Sequence, residues 1–300
     1  MNKPTAADVA EATDRIRPYT RRTPLLRTEV DGRPLVLKLE HLQLSGSFKL
    51  RGAVNALRHG ERPDQVVTAS GGNHGLAVAT AAGLLGVQAT VYVPEGTPAG
   101  KARRIEAAGA KLVRHGRHYA EAAAAAVDEA AASGARYLPA YDDPAVVAGQ
   151  GTMGAEIVAD APEVDAVLVA VGGGGLAAGT ALAIGPRQTV AVEPEGCSAL
   201  HQALAAGEPV DVAVESVASS ALGATRVGAV PFAVLNAPGT RSVLVSDAEL
   251  LAARDRLWEE FRLAVEPAAA VPFAAWLAGR VAAELPCVVL CGANTDWTPA

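Results

Sequence analysis

The sequence predicts an α/β protein made of two doubly wound parallel-sheet units, and three observations carry that prediction. Short apolar runs alternate with helix-forming stretches between residues 66 and 138, and the alternation resumes after Pro144. Strands separated by helices are the signature of parallel sheets. The run 166–171 is apolar without a break, as a strand covered on both faces must be. Glycine-rich loops stand at two strand-to-helix junctions, 70–75 and 172–175. The 300 residues, half of them hydrophobic, suit about two domains at roughly 150 residues each.

Composition narrows the function classes. The net charge of −6, with no basic run, argues against a nucleic-acid partner. No uninterrupted apolar stretch is long enough to span a bilayer, and Met1-Asn2-Lys3-Pro4 opens no apolar leader. Three cysteines, Cys197, Cys287 and Cys291, argue against a disulfide framework, and no Cys/His cluster has zinc-ligand spacing. A cytoplasmic protein is the expectation.

Taken in order, Thr5 is an N-cap with Asp8 in the first turn, opening a helix to about Arg15. Thr23-Pro24 closes that region, because the residue before proline avoids helical geometry. A strand is expected over 35–40 and a helix over 50–58. Strand 66–69 leads through the loop 70–75 into a small-residue helix ending near Leu85. Strand 89–93 is closed by Pro94, and helix 99–108 stops at Gly109. Strand 111–113, the alanine-rich helix 120–132 with its stop at Gly134, and strand 136–138 complete the first series. In the second series, strand 166–171 turns at 172–175 into a helix, and strands follow at 189–193, 242–245 and 287–292. Ser246-Asp247-Ala248-Glu249 forms a capping box for a helix to about Phe261. The pattern makes 65–142 the smaller unit and leaves the first 64 residues open to either.

Three stretches carry chemistry. Lys49 lies between Phe48 and Leu50 beyond a Ser45-Gly46-Ser47 turn. Partial burial there lowers the lysine pKa and frees the amine as nucleophile or base; the plain alternative is a lysine snorkelling from an amphipathic helix. Gly172, Gly173, Gly174 and Gly175 join a strand to a helix, where closely approachable backbone N–H groups and the helix dipole favour an anion. Gly172, Gly174 and Ala177 also fit the dinucleotide pattern G-x-G-x-x-A, with Glu193 about 20 residues on as a ribose-binding acid. Ser70-Gly71-Gly72-Asn73-His74-Gly75 is a second anion cradle, with side-chain donors on Ser70, Asn73 and His74. A nicotinamide-binding oxidoreductase needs one cradle and no desolvated lysine. A phosphorylated aldehyde cofactor acting on an amino acid needs a phosphate cradle, a carboxylate cradle and a Schiff-base lysine. All three are present.

In this order, S-G-S-F-K-L-R-G-A, S-G-G-N-H-G, V-G-G-G-G-L and V-V-L-C-G-A-N resemble the fold-type II pyridoxal-phosphate enzymes, nearest the serine/threonine dehydratase and serine racemase group. The resemblance implies a tryptophan synthase β-like fold: a large cofactor-binding domain of residues 1–64 and 143–300, with a small domain, 65–142, inserted in it. It implies pyridoxal 5'-phosphate on Lys49, the catalytic residue, with Phe48 beside the ring and Asn73 on the ring hydroxyl. Gly172, Gly173, Gly174 and Gly175 would hold the phosphate, and Cys291 would face the pyridine nitrogen. Ser70, Gly72, Asn73 and His74 would receive the carboxylate of a small amino-acid substrate. A homodimer is implied as well.

Departures from the family pattern refine the expectation. Relatives that racemise resemble S-S-G-N-H at the carboxylate loop and use the second serine opposite the lysine; here Gly71 supplies no proton donor. Cys291 stands where many relatives have serine, and a thiol is a weak partner for a pyridinium; by itself Cys291 also reads as a small buried residue. Several relatives bind a divalent cation with a glutamate and an aspartate six residues later; Glu193 matches the first and Ala199 replaces the second, so no strong metal site is expected. Ser219-Ser220-Ala221-Leu222-Gly223 departs as well, which bears on substrate preference. No regulatory domain is expected after Ala300, unlike the feedback-controlled biosynthetic threonine deaminases. The expected reaction is β-elimination of L-threonine and/or L-serine to 2-oxobutyrate or pyruvate plus ammonia. A racemase or β-replacement synthase of the same fold is the alternative, and a nicotinamide-binding oxidoreductase the alternative of a different class.

Overall fold

The computed structural model describes residues 3–297; Met1, Asn2 and 298–300, on which the expectations about the two chain ends fall, lie outside the described residues. Thr5 caps α1 (Ala6–Ile16) through a complete capping box with Asp8. A hairpin absent from the sequence reading follows: β1 (Leu25–Val30) and β2 (Arg33–Lys38) pair antiparallel, Leu25 opposite Lys38 and Val30 opposite Arg33. Its turn is Asp31-Gly32, both residues left-handed at φ 52° and 70°, the geometry that two-residue hairpins favour. The strand expected over 35–40 therefore starts earlier and ends at Lys38. One edge of an otherwise parallel sheet is antiparallel. The helix α2 (Lys49–Arg58) comes next.

The smaller sheet is built from β3 (Gln65–Ala69), β4 (Gln88–Val93), β5 (Lys111–Arg114) and β6 (Arg136–Tyr137). All pairs are parallel, in the order β5-β4-β3-β6. The connecting helices are α3 (Asn73–Leu85), α4 (Ala99–Ala107) and α5 (Tyr119–Ser133). Small side chains let these helices approach the sheet closely: Ala122, Ala126 and Ala130, spaced by one turn, pack with Val67, Ala69 and Tyr92.

The second series opens with α6 (Pro144–Asp160), whose N-cap Asp143 accepts the Val146 N–H and whose first turn carries Pro144. Then come β7 (Ala166–Ala170), α7 (Gly175–Ala183), β8 (Gln188–Pro194), α8 (Ala199–Ala206), α9 (Ser219–Leu222) and α10 (Ala229–Leu235). The remaining described elements are β9 (Thr240–Val245), α11 (Asp247–Phe261), α12 (Pro267–Leu277) and β10 (Pro286–Val289). The larger sheet runs β1-β2-β10-β7-β8-β9, so the last of the described strands sits between β2 and β7. β2, β10 and β7 are parallel, which brings the segments after each of them, 39–49, 290–294 and 171–175, to one edge of the sheet. The order reverses around β7, and a crevice at the carboxyl ends of such strands is where α/β proteins bind ligands. No helix among the described residues is long and apolar enough to cross a membrane.

Beneath that edge lies a fully enclosed ion network. Arg51, 1 % exposed, donates to Glu40 (2.7 and 2.9 Å) and to Glu156 (2.7 and 2.8 Å). Lys38 donates to Glu156 at 2.6 Å and to the Thr23 carbonyl at 2.8 Å, and the Thr23 hydroxyl donates to Glu40. Burial opposes ionisation of Glu40, but Arg51 outweighs it and holds the carboxyl below its ordinary range. Two cations and two carboxylates balance, so each charge within the network is answered. Removing one member strands the others: Arg51→Met is expected to cost about 3–5 kcal/mol, read from urea unfolding, and a loss below about 1 kcal/mol would show the network to be dispensable.

Candidate active site

Lys49 is the first residue of α2, and its Nζ donates to the Ala140 carbonyl at 2.8 Å. The amine lies 5.2 Å from the Phe48 ring centroid. Burial lowers its pKa to about 8, while Cys291 and Glu266 nearby pull the other way. An amine so placed is a usable nucleophile and base near neutral pH. The backbone joins it to the sheet edge, since the Phe48 N–H donates to the Cys291 carbonyl at 3.0 Å.

The glycine loop is a cradle of unused donors. The N–H groups of Gly172, Gly173, Gly174, Gly175 and Leu176 have no acceptor among the described residues. Buried backbone donors rarely go unpaired, and at a helix N-terminus such a set suits a phosphate. The glycines are required on the other side of the loop. A Cβ on Gly173 would stand 2.3 Å from the Tyr141 ring, and one on Gly174, which is left-handed at φ 92°, would stand 2.7 Å from Pro231. Ser47 adds a buried hydroxyl without a hydrogen-bond partner at this edge, packed against Gly292. These orphaned groups and the low-pKa lysine fit a phosphorylated carbonyl cofactor.

The nicotinamide alternative fails on Glu193. Its carboxylate is completely buried and accepts the N–H groups of Leu200 and His201, each at 2.8 Å, so both oxygens are committed to the start of α8. Burial pushes this carboxyl up to about 8, and the two N–H bonds pull against that. A completely buried carboxylate turned to the start of α8 presents no oxygen to a ribose hydroxyl, and Ala199, the first residue of α8, brings no second carboxylate.

The loop 70–75 holds a second set of donors. The N–H groups of Asn73, His74 and Gly75, the first turn of α3, have no acceptor among the described residues. Gly75 must be glycine, because a Cβ would meet the Ser70 carbonyl at 2.1 Å. The side chains expected to be donors are engaged elsewhere. Ser70 Oγ accepts the Gly72 N–H at 3.2 Å, and His74 Nε2 meets the Leu138 carbonyl at 3.1 Å. Burial, with Lys49 nearby, pushes the His74 pKa down to about 3, so the ring is neutral and Nε2 is the donor. His74 thus moors the loop to the end of β6, and the loop faces a ligand with its backbone. The Asn73 amide donates to Glu266 Oε1 at 2.7 Å and accepts from Asn294 at 2.8 Å. Cys291 is buried, and burial with Glu266 beside it raises its thiol well above the ordinary range, keeping it neutral.

Glu266, Thr97 and Tyr141 do not stand out in the sequence, and Asn294 closes the motif V-V-L-C-G-A-N without a role assigned to it there. Glu266 has a legible signal all the same: Val265-Glu266-Pro267 repeats the triplet Val192-Glu193-Pro194, in both cases a buried glutamate beside a helix start. Tyr141 and Thr97 lie in unpatterned loops, where only tertiary packing reveals them.

A doubly wound α/β chain with a low-pKa lysine and two loops of unused donors at a strand-order switch defines a lysine-anchored phosphate-cofactor enzyme. The chain belongs to the pyridoxal-phosphate dependent enzyme family, whose model matches residues 16–292. It is 40 % identical to an L-threonine ammonia-lyase of Geobacter sulfurreducens, across 96 % of this chain and 75 % of that one. Among solved structures it resembles a threonine deaminase from T.th., with TM-score 0.91 and 36 % identity over 99 % of this chain and all (100 %) of the other. It also resembles maize serine racemase, with TM-score 0.94 and 29 % identity over 98 % of this chain and 95 % of the other. Borohydride reduction of the cofactor-loaded protein is expected to fix a phosphopyridoxyl group on the Lys49 peptide, located by mass spectrometry. Lys49→Ala should abolish the visible absorption; a label on any other lysine would contradict the assignment.

Proposed function

We propose that the protein eliminates water from L-threonine and L-serine, yielding 2-oxobutyrate or pyruvate and ammonia. The observation that carries this reading is the one-sidedness of the site. Lys49 offers an amine, and position 71, the second serine of the S-S-G-N-H that racemising relatives resemble, is Gly71 and offers no side chain. Thr97 fills the space there: its methyl and hydroxyl would lie 3.0 and 3.2 Å from a Cβ at position 71. In this reading the N–H groups of Asn73, His74 and Gly75 bind the substrate carboxylate, and those of 172–176 bind the cofactor phosphate. Phe48 would pack beside the ring, Cys291 would meet its nitrogen as a neutral thiol, and Asn73 would meet its hydroxyl. Bound pyridoxal phosphate supplies the electron withdrawal that acidifies the α-carbon. Lys49 Nζ takes the α-proton, the β-carbon–oxygen bond breaks, and the proton and hydroxyl leave together as water. The unsaturated amine then takes up water and becomes oxo acid and ammonia. The 40 % identical ammonia-lyase and the threonine deaminase structure support this reading.

Racemisation is the second reading, favoured by the likeness to maize serine racemase and opposed by Gly71. A homodimer in the cytoplasm completes the proposal; Leu42 and Leu44, 41 % and 42 % exposed beside the Lys49 segment, support an apolar contact with a second copy.

Ammonia and oxo acid should form from both amino acids at equal rates with and without a strong chelator of divalent cations; turnover without ammonia, as in β-replacement, would defeat the proposal. L-Serine should yield little D-serine. Gly71→Ser alone should change that little, because Thr97 must move aside, whereas Gly71→Ser with Thr97→Ala should raise D-serine about tenfold or more. Chiral chromatography reads the outcome, and abundant D-serine from the unaltered protein would favour racemisation instead.

A further inference from the structure

Glu266 is a buried titratable group at the cleft that elimination leaves unused. It stands at the N-cap of α12 without capping that helix, and its Oε1 instead accepts the Asn73 Nδ2–H at 2.7 Å. Its own N–H donates to the Gly292 carbonyl at 3.2 Å. A Cβ on Gly292 would come within 2.5 Å of Oε1, so this carboxyl occupies its place only because residue 292 is glycine. Glu266 is 6 % exposed. Lys49 of α2, Lys101 of α4 and Cys291 after β10 face it, together with the amides of Asn73 and Asn294. Arg104, also on α4, is held by Asp296 at 2.8 Å. Burial raises the Glu266 pKa to about 7, although Asn73, Lys101, the Asn294 N–H and Lys49 all favour its charge.

Glu266 lines the same cleft as Gly71, Gly72 and Asn73. Asn73 touches both functions of that cleft: its side chain holds Glu266, and its backbone N–H is one of the unused donors of the loop 70–75. A ligand carboxylate in that loop would therefore stand close to a buried carboxyl already reluctant to ionise. Two carboxylates close together in one cleft disfavour each other's charge, and the one already driven toward neutrality by burial takes up a proton. Resting on the proposed role of the loop in holding the substrate carboxylate, we propose that Glu266 is a proton-uptake site coupled to substrate binding. As the substrate carboxylate enters, an O–H bond forms on Glu266 with a proton drawn from solvent, and the cleft keeps one negative charge instead of two.

The sign of the pH dependence follows. The group titrates near neutrality without ligand and higher with it, so affinity is full below pH 7 and declines as pH rises through that value. The probe is 3-hydroxybutyrate, which is threonine without its amino group and so cannot exchange with Lys49. Its binding to the cofactor-loaded protein is measured by calorimetry in buffers of different ionisation enthalpy. About one proton should be taken up per molecule bound at pH 8 and almost none at pH 6, with affinity about tenfold weaker at pH 8. Glu266→Gln keeps the shape and still accepts from Asn73; it should bind the probe with neither proton uptake nor pH dependence. Failure of the unaltered protein to bind with proton uptake at pH 8, or uptake that persists in Glu266→Gln, overturns the inference. Ammonia release from L-threonine, measured on the same samples, tests the elimination reading separately.

Discussion

The enclosed pairing of Arg51 with Glu40 and Glu156, joined by Lys38, is the constraint on which the site depends. Its members come from β2, the turn after it, α2 and α6, so one charge-balanced cluster fixes four segments at once. Lys49 lies two residues from Arg51 at the start of the same helix. A cluster whose every charge is answered tolerates little displacement, because moving one ion exposes the rest to an apolar interior. The lysine thereby inherits a fixed position from chemistry that takes no part in the reaction. The same interior lowers the amine pKa, so rigidity and reactivity have a common origin.

Binding at this site is done largely by the backbone. Both loops end strands and begin helices, and both leave their first-turn N–H groups unanswered among the described residues. Glycine serves the two loops differently. In 172–175 it admits the close approach of Tyr141 and Pro231, and at Gly75 it admits the chain's own Ser70 carbonyl. Side chains that look functional in the sequence are spent on holding these loops: His74 on Leu138, Ser70 on Gly72, Asn73 on Glu266. Donors fixed in advance lose little freedom when an anion arrives.

Much of this is legible in the sequence because it depends on local pattern. An unbroken apolar run marks β7, the capping boxes mark α1 and α11, and glycine clusters mark the two donor loops. The β1–β2 hairpin escapes notice although its Asp31-Gly32 turn is a strong local signal, because Pro34 and the flanking charges blur the strand alternation. What stays hidden depends on contacts between distant segments. Asn73 and Glu266 are 193 positions apart, and nothing near either residue announces the other. Thr97 acquires meaning only from its contact with Gly71. The role of Glu193 likewise emerges only where both its oxygens are seen to cap α8.

The position of β10 bears on how the protein comes to exist at all. This strand follows every other described strand in the sequence, yet it lies between β2 and β7, pairing Cys287 with Val36 and Pro286 with Ala166. While the chain is still growing, β2 and β7 each keep an open edge, and the segment that carries Cys291 is missing beside Lys49. Pairing across so long a stretch of chain is slow, and unpaired parallel edges invite association with the wrong partner. A growing chain therefore carries Lys49 well before the segment that completes the crevice beside it.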